Sequence, residues 1–338
     1  MAPASSRRQQ QQPVALVVGA SRGIGRQVAI DLAKNGYAVV VAAKTVSDPS
    51  KLNDDPFPPN PNSPASTITT VAREITAAGG VATAIPVDVR SEQSVNDLVA
   101  RTVEAHGRLD ALVYNSGAIF WASVADTPLK RFQLMQRVNP EGLYAVVQAA
   151  LPHLRRAPVP SSLPGGDGAA GGVVGGGRIV VVSPPIYSRF FRGKTAYAMG
   201  KVGMSVLTKG LAMDLLREGE RSSGMAITSI WPAVAIESAA TAQFTKADPS
   251  EAKDLRRATI FSDAILAILR APPSVVNGEL LLDEDFLRDH AGVSDFAKYS
   301  VVSGSNPRRI MPAKLPDLTV AEQDDEGKRH DSTKKSRL

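Results

Sequence analysis

Short apolar runs alternate with amphipathic stretches along most of this chain, and that alternation limits the fold more than any other feature of the sequence. Residues 14–18, 38–43 and 179–182 are apolar at every position, and not only at every second one. Such runs are typical of strands whose two faces are both covered by helices, as in a parallel sheet. The pattern therefore predicts an α/β fold with a doubly wound, mostly parallel sheet.

The repeat of strand and helix continues through the chain and predicts a single domain with about seven strands. The predicted strands are 14–19, 37–43, 80–87, 109–115, 177–183, 224–231 and 278–283. The predicted helices lie near 23–36, 66–79, 91–107, 128–154, 194–218 and 250–270. We place the domain at 13–316, between a flexible tail at 1–12 and a second one at 317–338.

Two inserts interrupt the alternation. Residues 47–66 are rich in Pro, Asn and Ser, and residues 157–177 are rich in Gly, Pro and Ser. Neither insert has the apolar content to build a core of its own. We therefore expect both to be surface loops of one domain, and not linkers between two domains.

Composition and charge exclude several classes of protein. With no Cys and only 4 scattered His, the chain offers neither a disulfide framework nor a zinc site, and we expect no metal. The net charge of +6 is not gathered into a basic stripe, so we expect no nucleic-acid partner, although an anionic small molecule fits this excess. No apolar stretch reaches the roughly 18 residues that a membrane span needs.

A glycine-rich turn follows the first predicted strand directly and opens the first helix. Its sequence is Gly19-Ala20-Ser21-Arg22-Gly23-Ile24-Gly25. Glycine permits a tight turn, and it lets backbone N–H groups at the positive end of a helix approach a pyrophosphate. Because the turn joins strand to helix in a βαβ unit, it predicts a dinucleotide site.

A tyrosine and a lysine stand four residues apart on a later predicted helix, as Tyr197 and Lys201. This spacing places both side chains on one helix face. A nearby ammonium favours the phenolate form of tyrosine, which lets Tyr197 exchange a proton with a substrate oxygen. Such a spacing alone is more often structural, and the pair becomes our candidate catalytic centre only together with the motifs that follow.

Four motifs together resemble the short-chain dehydrogenase/reductase family over about residues 13–285. They are the GxxxGxG spacing of the glycine-rich turn, PVDV at 86–89, YNSG at 114–117 and YAMGK at 197–201, each at its place along the chain. The resemblance implies a Rossmann-type sheet and an oxidoreductase that interconverts a carbonyl and an alcohol with a nicotinamide cofactor. The cofactor-binding residues it implies are Gly19, Ser21, Arg22, Gly23, Ile24, Gly25, Asp88, Val89, Asn115, Ser116, Gly117, Tyr197, Lys201, Pro232 and Ile236.

The end of the second strand bears on the choice of cofactor. An NAD enzyme usually offers a carboxylate there to the ribose 2′-OH, whereas this chain has Ala42-Ala43-Lys44. Lys44 and Arg22 can pair with a 2′-phosphate, although both are also ordinary surface cations. We therefore expect the cofactor to be NADP(H), with Lys44 among its binding residues.

The catalytic set implied by the resemblance has one gap. Asn139 matches the helix asparagine of the family's proton relay, and Pro140 is expected to disturb the helix beside it. The family's serine is expected thirteen residues before the tyrosine, but that position holds Pro184. Ser183 stands one position earlier, and a shift of one residue along a strand turns the side chain to the opposite face. Ser183 thus remains a doubtful catalytic residue, with Tyr187 and Ser188 as other candidate donors, and we expect slow or altered catalysis.

Further departures resemble one branch of the family, the hydroxysteroid dehydrogenase-like protein 2 group. These are AAKT at 42–45, SPP at 183–185, WPxxAIxxAA at 231–240 and GxxxxDExxL at 278–287. In the loop after the sixth strand, Ala233 and Glu237 replace the usual Gly and Thr. Some members of the group carry a sterol-carrier-like domain, which we expect this chain to lack. The resemblance implies an apolar, lipid-like or specialised-metabolite substrate, with candidate pocket residues Phe120, Trp121, Val234, Ile236 and Phe244.

The final tripeptide, Ser336-Arg337-Leu338, resembles the address read by the peroxisomal import receptor. We therefore expect the peroxisomal matrix, with the cytoplasm or mitochondrion as alternatives, and we expect a homo-oligomer. The alternative to an enzyme is an NADP(H)-binding protein with a degenerate active site that serves as a structural partner or sensor.

Overall fold

The fold is built on one parallel sheet with the strand order β3-β2-β1-β4-β5-β6-β7. The computed structural model describes residues 12–48, 56–157, 176–222 and 224–318. The strands are β1 (Val14–Val18), β2 (Ala38–Ala43), β3 (Val81–Pro86), β4 (Ala111–Tyr114), β5 (Arg178–Val182), β6 (Ala226–Trp231) and β7 (Leu280–Leu282). The predicted doubly wound sheet and its seven strands are confirmed.

Helices cover both faces of this sheet. They are α1 (Gly23–Lys34), α2 (Ile68–Ala77), α3 (Glu92–His106), α4 (Leu129–Gln136), α5 (Gly142–Leu154), α6 (Thr195–Arg217), α7 (Ala242–Ala247), α8 (Thr259–Arg270), α9 (Pro273–Val276) and α10 (Asp283–Ala291). Alternate residues of β1 enter two separate cores, with Val17 packed in the cluster that contains Phe261 of α8 and Leu16 in the cluster that contains Leu143 of α5. Both faces are thus buried, which explains the unbroken apolar runs.

Two predicted helices have different bounds in the structure. The helix predicted at 128–154 is interrupted by a π turn at Arg137–Glu141, because Pro140 has no N–H to donate. The helix predicted at 250–270 begins only at Thr259. Before it, Pro249–Asp254 form a 3₁₀ helix, and the chain then leaves the helical path at Arg256, which bridges Ile236 and Ser300 in tertiary contacts that local sequence does not encode.

Three short helices, α7, α9 and α10, were not predicted. The expected strand at 278–283 is shorter, because α10 begins at Asp283. Residues 1–11, most of the predicted insert at 157–177, and the tail from 319 onward, including 336–338, lie outside the described residues. Within the described ranges, no helix is both long and apolar enough to cross a bilayer.

Candidate functional site

The carboxyl ends of β1 and β4 lie where the order of the strands reverses, and we call this edge of the sheet the crevice. Ligands of open α/β sheets bind at such a reversal. The glycine-rich turn leaves β1 here, and residues 115–117 leave β4 beside it. A Cβ on Gly19 would lie 2.5 Å from the backbone nitrogen of Ser116, and the φ of Gly19 is +89°. Only glycine therefore fits where the two loops meet.

The same turn leaves backbone donors free for an anion. A Cβ on Gly25 would lie 2.2 Å from the carbonyl oxygen of Gly19, so helix α1 begins in direct contact with the turn. The Asn115 amide donates to that carbonyl oxygen at 3.0 Å and closes the turn. The N–H groups of Ile24 and Gly25 have no acceptor among the described residues. This cradle fits the pyrophosphate of a dinucleotide.

Cationic side chains flank Thr45 just beyond the end of β2. Arg22 Nη2 donates to Thr45 Oγ1 at 3.4 Å, and Lys44 Nζ lies 3.2 Å from Asp88 Oδ2. Asp88 also accepts from Arg90, and these bonds hold the pKa of Asp88 well below its usual range. Arg90, which the sequence interpretation missed, thus shares Asp88 with Lys44.

Tyr197 and Lys201 lie side by side on α6 and are both buried. Lys201 Nζ donates to the carbonyl oxygen of Val182 at 2.8 Å, and it lies 3.3 Å from where a Cβ on Gly117 would stand. Burial lowers the pKa of Lys201 to about 7 and raises the pKa of Tyr197, because desolvation penalises the charged form of each. The phenol hydroxyl makes no hydrogen bond to any described residue.

Asn139 lies within the π turn and holds the loop that follows β4. Its Oδ1 accepts from the N–H of Ala118 at 2.8 Å, and its Nδ2 donates to the carbonyl oxygen of Ala118 at 3.1 Å. Asn139 Oδ1 lies 3.6 Å from the Cβ position of Gly117, which brings it next to Lys201. The disturbance predicted from Pro140 is present, and it places Asn139 at the crevice.

Ser183 is fully buried at the end of β5. Its N–H donates to the carbonyl oxygen of Val181 at 3.0 Å, which ends β5 in a tight turn. Its hydroxyl accepts from Ser205 Oγ at 3.0 Å, one turn beyond Lys201 on α6. Of the other candidate donors, Tyr187 has its hydroxyl 3.2 Å from Met311 Sδ, and Ser188 is exposed.

The loop after β6, which contains Pro232, is held from two sides. The N–H of Ala233 donates to Asp283 Oδ1 at 2.8 Å, and its carbonyl oxygen accepts from the N–H of Ile310 at 2.8 Å. Burial raises the pKa of Asp283 to about 7. Asp283 was visible in the sequence as part of GxxxxDExxL, but nothing there assigned it a role. No sequence signal pointed to Ile310.

Aromatic rings surround Tyr197. Trp121 meets its ring edge-on, with 6.3 Å between centroids, and stacks on Phe244 at 6.1 Å. Phe190 lies 6.2 Å from the Tyr197 ring, and Lys194 Nζ lies 4.8 Å from the Phe190 centroid. Phe190 and Lys194 were missed, because only folding brings the short helical turn at 188–191 over α6.

The other candidate pocket residues divide into two groups. Phe120 packs partly buried in the same cluster as Tyr197. Val234 and Ile236 are buried in the loop after β6, where Val234 bridges Arg309 and Ile236 bridges Arg256. Val89, a cofactor-binding residue implied by the resemblance, lies in the core beside Gly142.

Comparison with known proteins agrees with this geometry. The pattern of the short chain dehydrogenase family matches residues 13–55 and 62–247. Hydroxysteroid dehydrogenase-like protein 2 of Danio rerio is 35% identical over 290 residues, which cover 85% of this chain and 60% of that protein. The chain thus spans less than two thirds of that relative's length. The match confirms the resemblance seen in the sequence.

Solved structures share the fold. A short chain dehydrogenase from Mycobacterium thermoresistibile superposes with a TM-score of 0.70 at 32% identity, covering 89% of this chain and 94% of its own. Actinorhodin polyketide ketoreductase, solved with NADPH, has a TM-score of 0.60 at 23% identity over 81% of this chain and 96% of its own, and shows the same fold. The chain belongs to the short-chain dehydrogenase family of oxidoreductases.

Proposed function

We propose that this protein is an NADP(H)-dependent oxidoreductase that interconverts a carbonyl and an alcohol on an apolar, lipid-like or specialised-metabolite substrate. The observation that carries the proposal is the position of Tyr197 and Lys201. Lys201 reaches the loop after β4 at Gly117, while Tyr197 faces the aromatic cluster of Trp121 and Phe190. The cofactor supplies or accepts the hydride at its nicotinamide ring.

The residues of the chain supply the proton. In the direction of reduction, Tyr197 Oη donates its proton to the carbonyl oxygen of the substrate, and the raised pKa keeps the phenol protonated beforehand. The phenolate that remains is stabilised by the Lys201 ammonium one helical turn away. Asn139 keeps the loop at Ala118 fixed beside this pair.

Two cations support NADP(H) over NAD(H). Arg22 donates to Thr45, and Lys44 precedes Thr45 at the end of β2, where an NAD enzyme has a carboxylate for the ribose hydroxyl. Guanidinium and ammonium groups pair well with a phosphate. Asp88 is already engaged by Arg90, which limits its repulsion of a 2′-phosphate.

A second candidate function is nucleotide binding without turnover, as a structural partner or a sensor. It is favoured by the strand end after β5, where Pro184 occupies the usual serine position and Ser183 is bonded to Ser205. Under this alternative the aromatic cluster would bind a ligand that is not reduced.

An assay with both coenzymes decides between the two. Purified protein is mixed with NADPH or NADH and a panel of aliphatic aldehydes, long-chain ketones and steroid ketones, and coenzyme oxidation is followed by absorbance. We expect oxidation of NADPH with apolar carbonyls, and slower oxidation of NADH. Tight binding of NADPH with no oxidation by any panel member, and no reduction of NADP by the matching alcohols, would favour the second function.

We also propose a homo-oligomer and import into peroxisomes. Apolar side chains on α5 and α6 are exposed, among them Tyr144 at 60%, Val206 at 57% and Leu216 at 73%, and a second copy would cover them. Sedimentation measures the oligomeric state.

A fluorescent protein fused upstream of the intact C-terminus should be punctate in cells and diffuse when Leu338 is deleted, whereas a mitochondrial pattern would support the alternative location.

A further inference from the structure

Part of the Pro-, Asn- and Ser-rich insert packs onto the glycine-rich turn, although most of its described residues are exposed. We name residues 56–66 the insert segment. The N–H of Gly23 donates to the carbonyl oxygen of Pro61 at 2.8 Å. Ser66 is fully buried, and its hydroxyl donates to the carbonyl oxygen of Ser21 at 2.7 Å. The family pattern leaves residues 56–61 unmatched, so the Pro61 contact comes from a stretch outside that pattern, whereas Ser66 lies within it.

Asn62 projects from the insert segment toward the start of α1. Its Oδ1 lies 3.6 Å from the position of a Cβ on Gly23, and Ser238 Cβ lies 3.9 Å from the same point. Asn62 thus approaches the turn from the insert, and Ser238 approaches it from the loop after β6. Together they flank the first turn of α1, where the pyrophosphate cradle lies.

Asn62 Oδ1 is buried and has no hydrogen-bond partner. An acceptor buried without a donor destabilises a protein, and native structures rarely keep one without a reason. A half-turn of the amide exchanges its oxygen for the NH₂ group, which donates two hydrogen bonds. The N–H groups of Ile24 and Gly25, in the same first turn of α1, have no acceptor among the described residues, so an anion bound at this turn would have donors both from the helix and from Asn62.

We infer that the insert segment forms an outer wall of the cofactor site and that the Asn62 side-chain amide donates a hydrogen bond to the pyrophosphate of the bound dinucleotide. The inference rests on the dinucleotide binding in the proposed function, but not on turnover or on the choice of NADP(H). Because the pyrophosphate is common to both coenzymes, Asn62 contributes equally to the binding of NADPH and NADH. Arg22 and Lys44, in contrast, act only on the 2′-phosphate.

The test measures dissociation constants by coenzyme fluorescence for the wild-type protein and for Asn62→Ala and Asn62→Asp. Loss of a hydrogen bond to a charged group weakens binding about tenfold or more, so Asn62→Ala should raise the Kd for NADPH and for NADH by about tenfold each. Asn62→Asp keeps the shape but sets a carboxylate against a phosphate, and should raise both by about a hundredfold. Ser63→Ala is the matched control and should bind as the wild type does, because among the described residues the Ser63 hydroxyl bonds to the Asn60 carbonyl oxygen of the same segment.

Adenosine 2′-monophosphate, which has no pyrophosphate, locates the contact. Its Kd should be unchanged in Asn62→Asp, and the melting temperature without coenzyme should be unchanged or raised in Asn62→Ala, because the unpartnered oxygen is gone. Unchanged Kd values for both coenzymes in Asn62→Asp overturn the inference, as does an equal loss for adenosine 2′-monophosphate. A protein that shows the expected Asn62 dependence but oxidises no coenzyme refutes only the proposed catalysis.

Discussion

The two sides of the crevice are built on different kinds of contact. On the side of β1, the site is made of backbone. Gly19 and Gly25 lie so close to neighbouring backbone atoms that no side chain fits at either position. On the side of β5 and α6, the site is made of side chains, and there a proline stands at the usual serine position. A site formed by main-chain groups strongly restricts which residues can occupy it. A site formed by side chains keeps its arrangement when one of its residues is replaced. The departure that bears most on the chemistry therefore lies on the second side.

The change with the largest expected effect removes the proposed proton donor on the side-chain side. Tyr197→Phe keeps the buried ring and its contacts with Trp121 but deletes the hydroxyl. We expect turnover of a responsive carbonyl to fall by about 10³-fold, since general acid catalysis contributes about 10²–10⁴-fold. NADPH affinity should stay within a few-fold. Steady-state kinetics and coenzyme titration measure the two effects, and unchanged turnover would refute the proposed mechanism.

The matching change on the backbone side is Gly25→Ala. Its Cβ would lie 2.2 Å from the carbonyl oxygen of Gly19 and 2.6 Å from Asn115 Nδ2, so the turn must shift. We expect a loss of about 1–3 kcal/mol in the free energy of unfolding and a severe loss of NADPH binding. Denaturant unfolding and fluorescence titration provide the measurements.

Gly210→Ala is the control for that change. Gly210 is exposed within α6 and a Cβ there would have nothing within 4 Å, so the protein should gain about 1 kcal/mol from helix propensity. Equal losses from the two alanines would show that packing at the turn is not the cause.

The preference between NADPH and NADH tests the side chains at the edge of the backbone side, Arg22 and Lys44. We expect NADPH to bind at least about tenfold more tightly than NADH, as two charge-assisted contacts allow. The double change Lys44→Ala with Arg22→Ala should bring the two Kd values close together, mainly by weakening NADPH. An initial preference for NADH would overturn the assignment.

Two buried groups on the side-chain side give stability opposite dependences on pH. The pKa of Asp283 is raised from 3.8 to about 7, so the native state binds the extra proton and stability falls as pH rises through that window. The pKa of Lys201 is lowered from 10.5 to about 7, so stability rises between these values. Each slope is at most about 1.4 kcal/mol per pH unit.

Denaturant midpoints measured across pH test the two slopes separately. Asp283→Asn should reduce the fall in stability with increasing pH below neutrality. Lys201→Met should reduce the rise in stability above neutrality. A fall that persists unchanged in Asp283→Asn would assign it to other groups.

The smallest expected effect is that of Ser183→Ala. The hydroxyl bonds to Ser205 in the core, so its loss should reduce turnover by less than about tenfold, below the roughly 10²–10³ of a true oxyanion donor. A loss as large as that of Tyr197→Phe would mean that Ser183 reaches the substrate during catalysis. The same kinetic assay compares the two variants.

The sequence by itself determined the sheet, because apolar runs buried on both faces leave few alternatives, and it determined the glycine-rich turn, because only glycine permits those approaches. That Tyr197 and Lys201 lie next to each other also follows from their spacing on one helix. Tertiary structure decided the rest. It brought Asp283 and Ile310 into contact with the loop after β6. It also brought Phe190 and Lys194 close to Tyr197 and packed the insert segment against the glycine-rich turn. These contacts join residues far apart in the chain, and local periodicity carries no information about which distant segments meet.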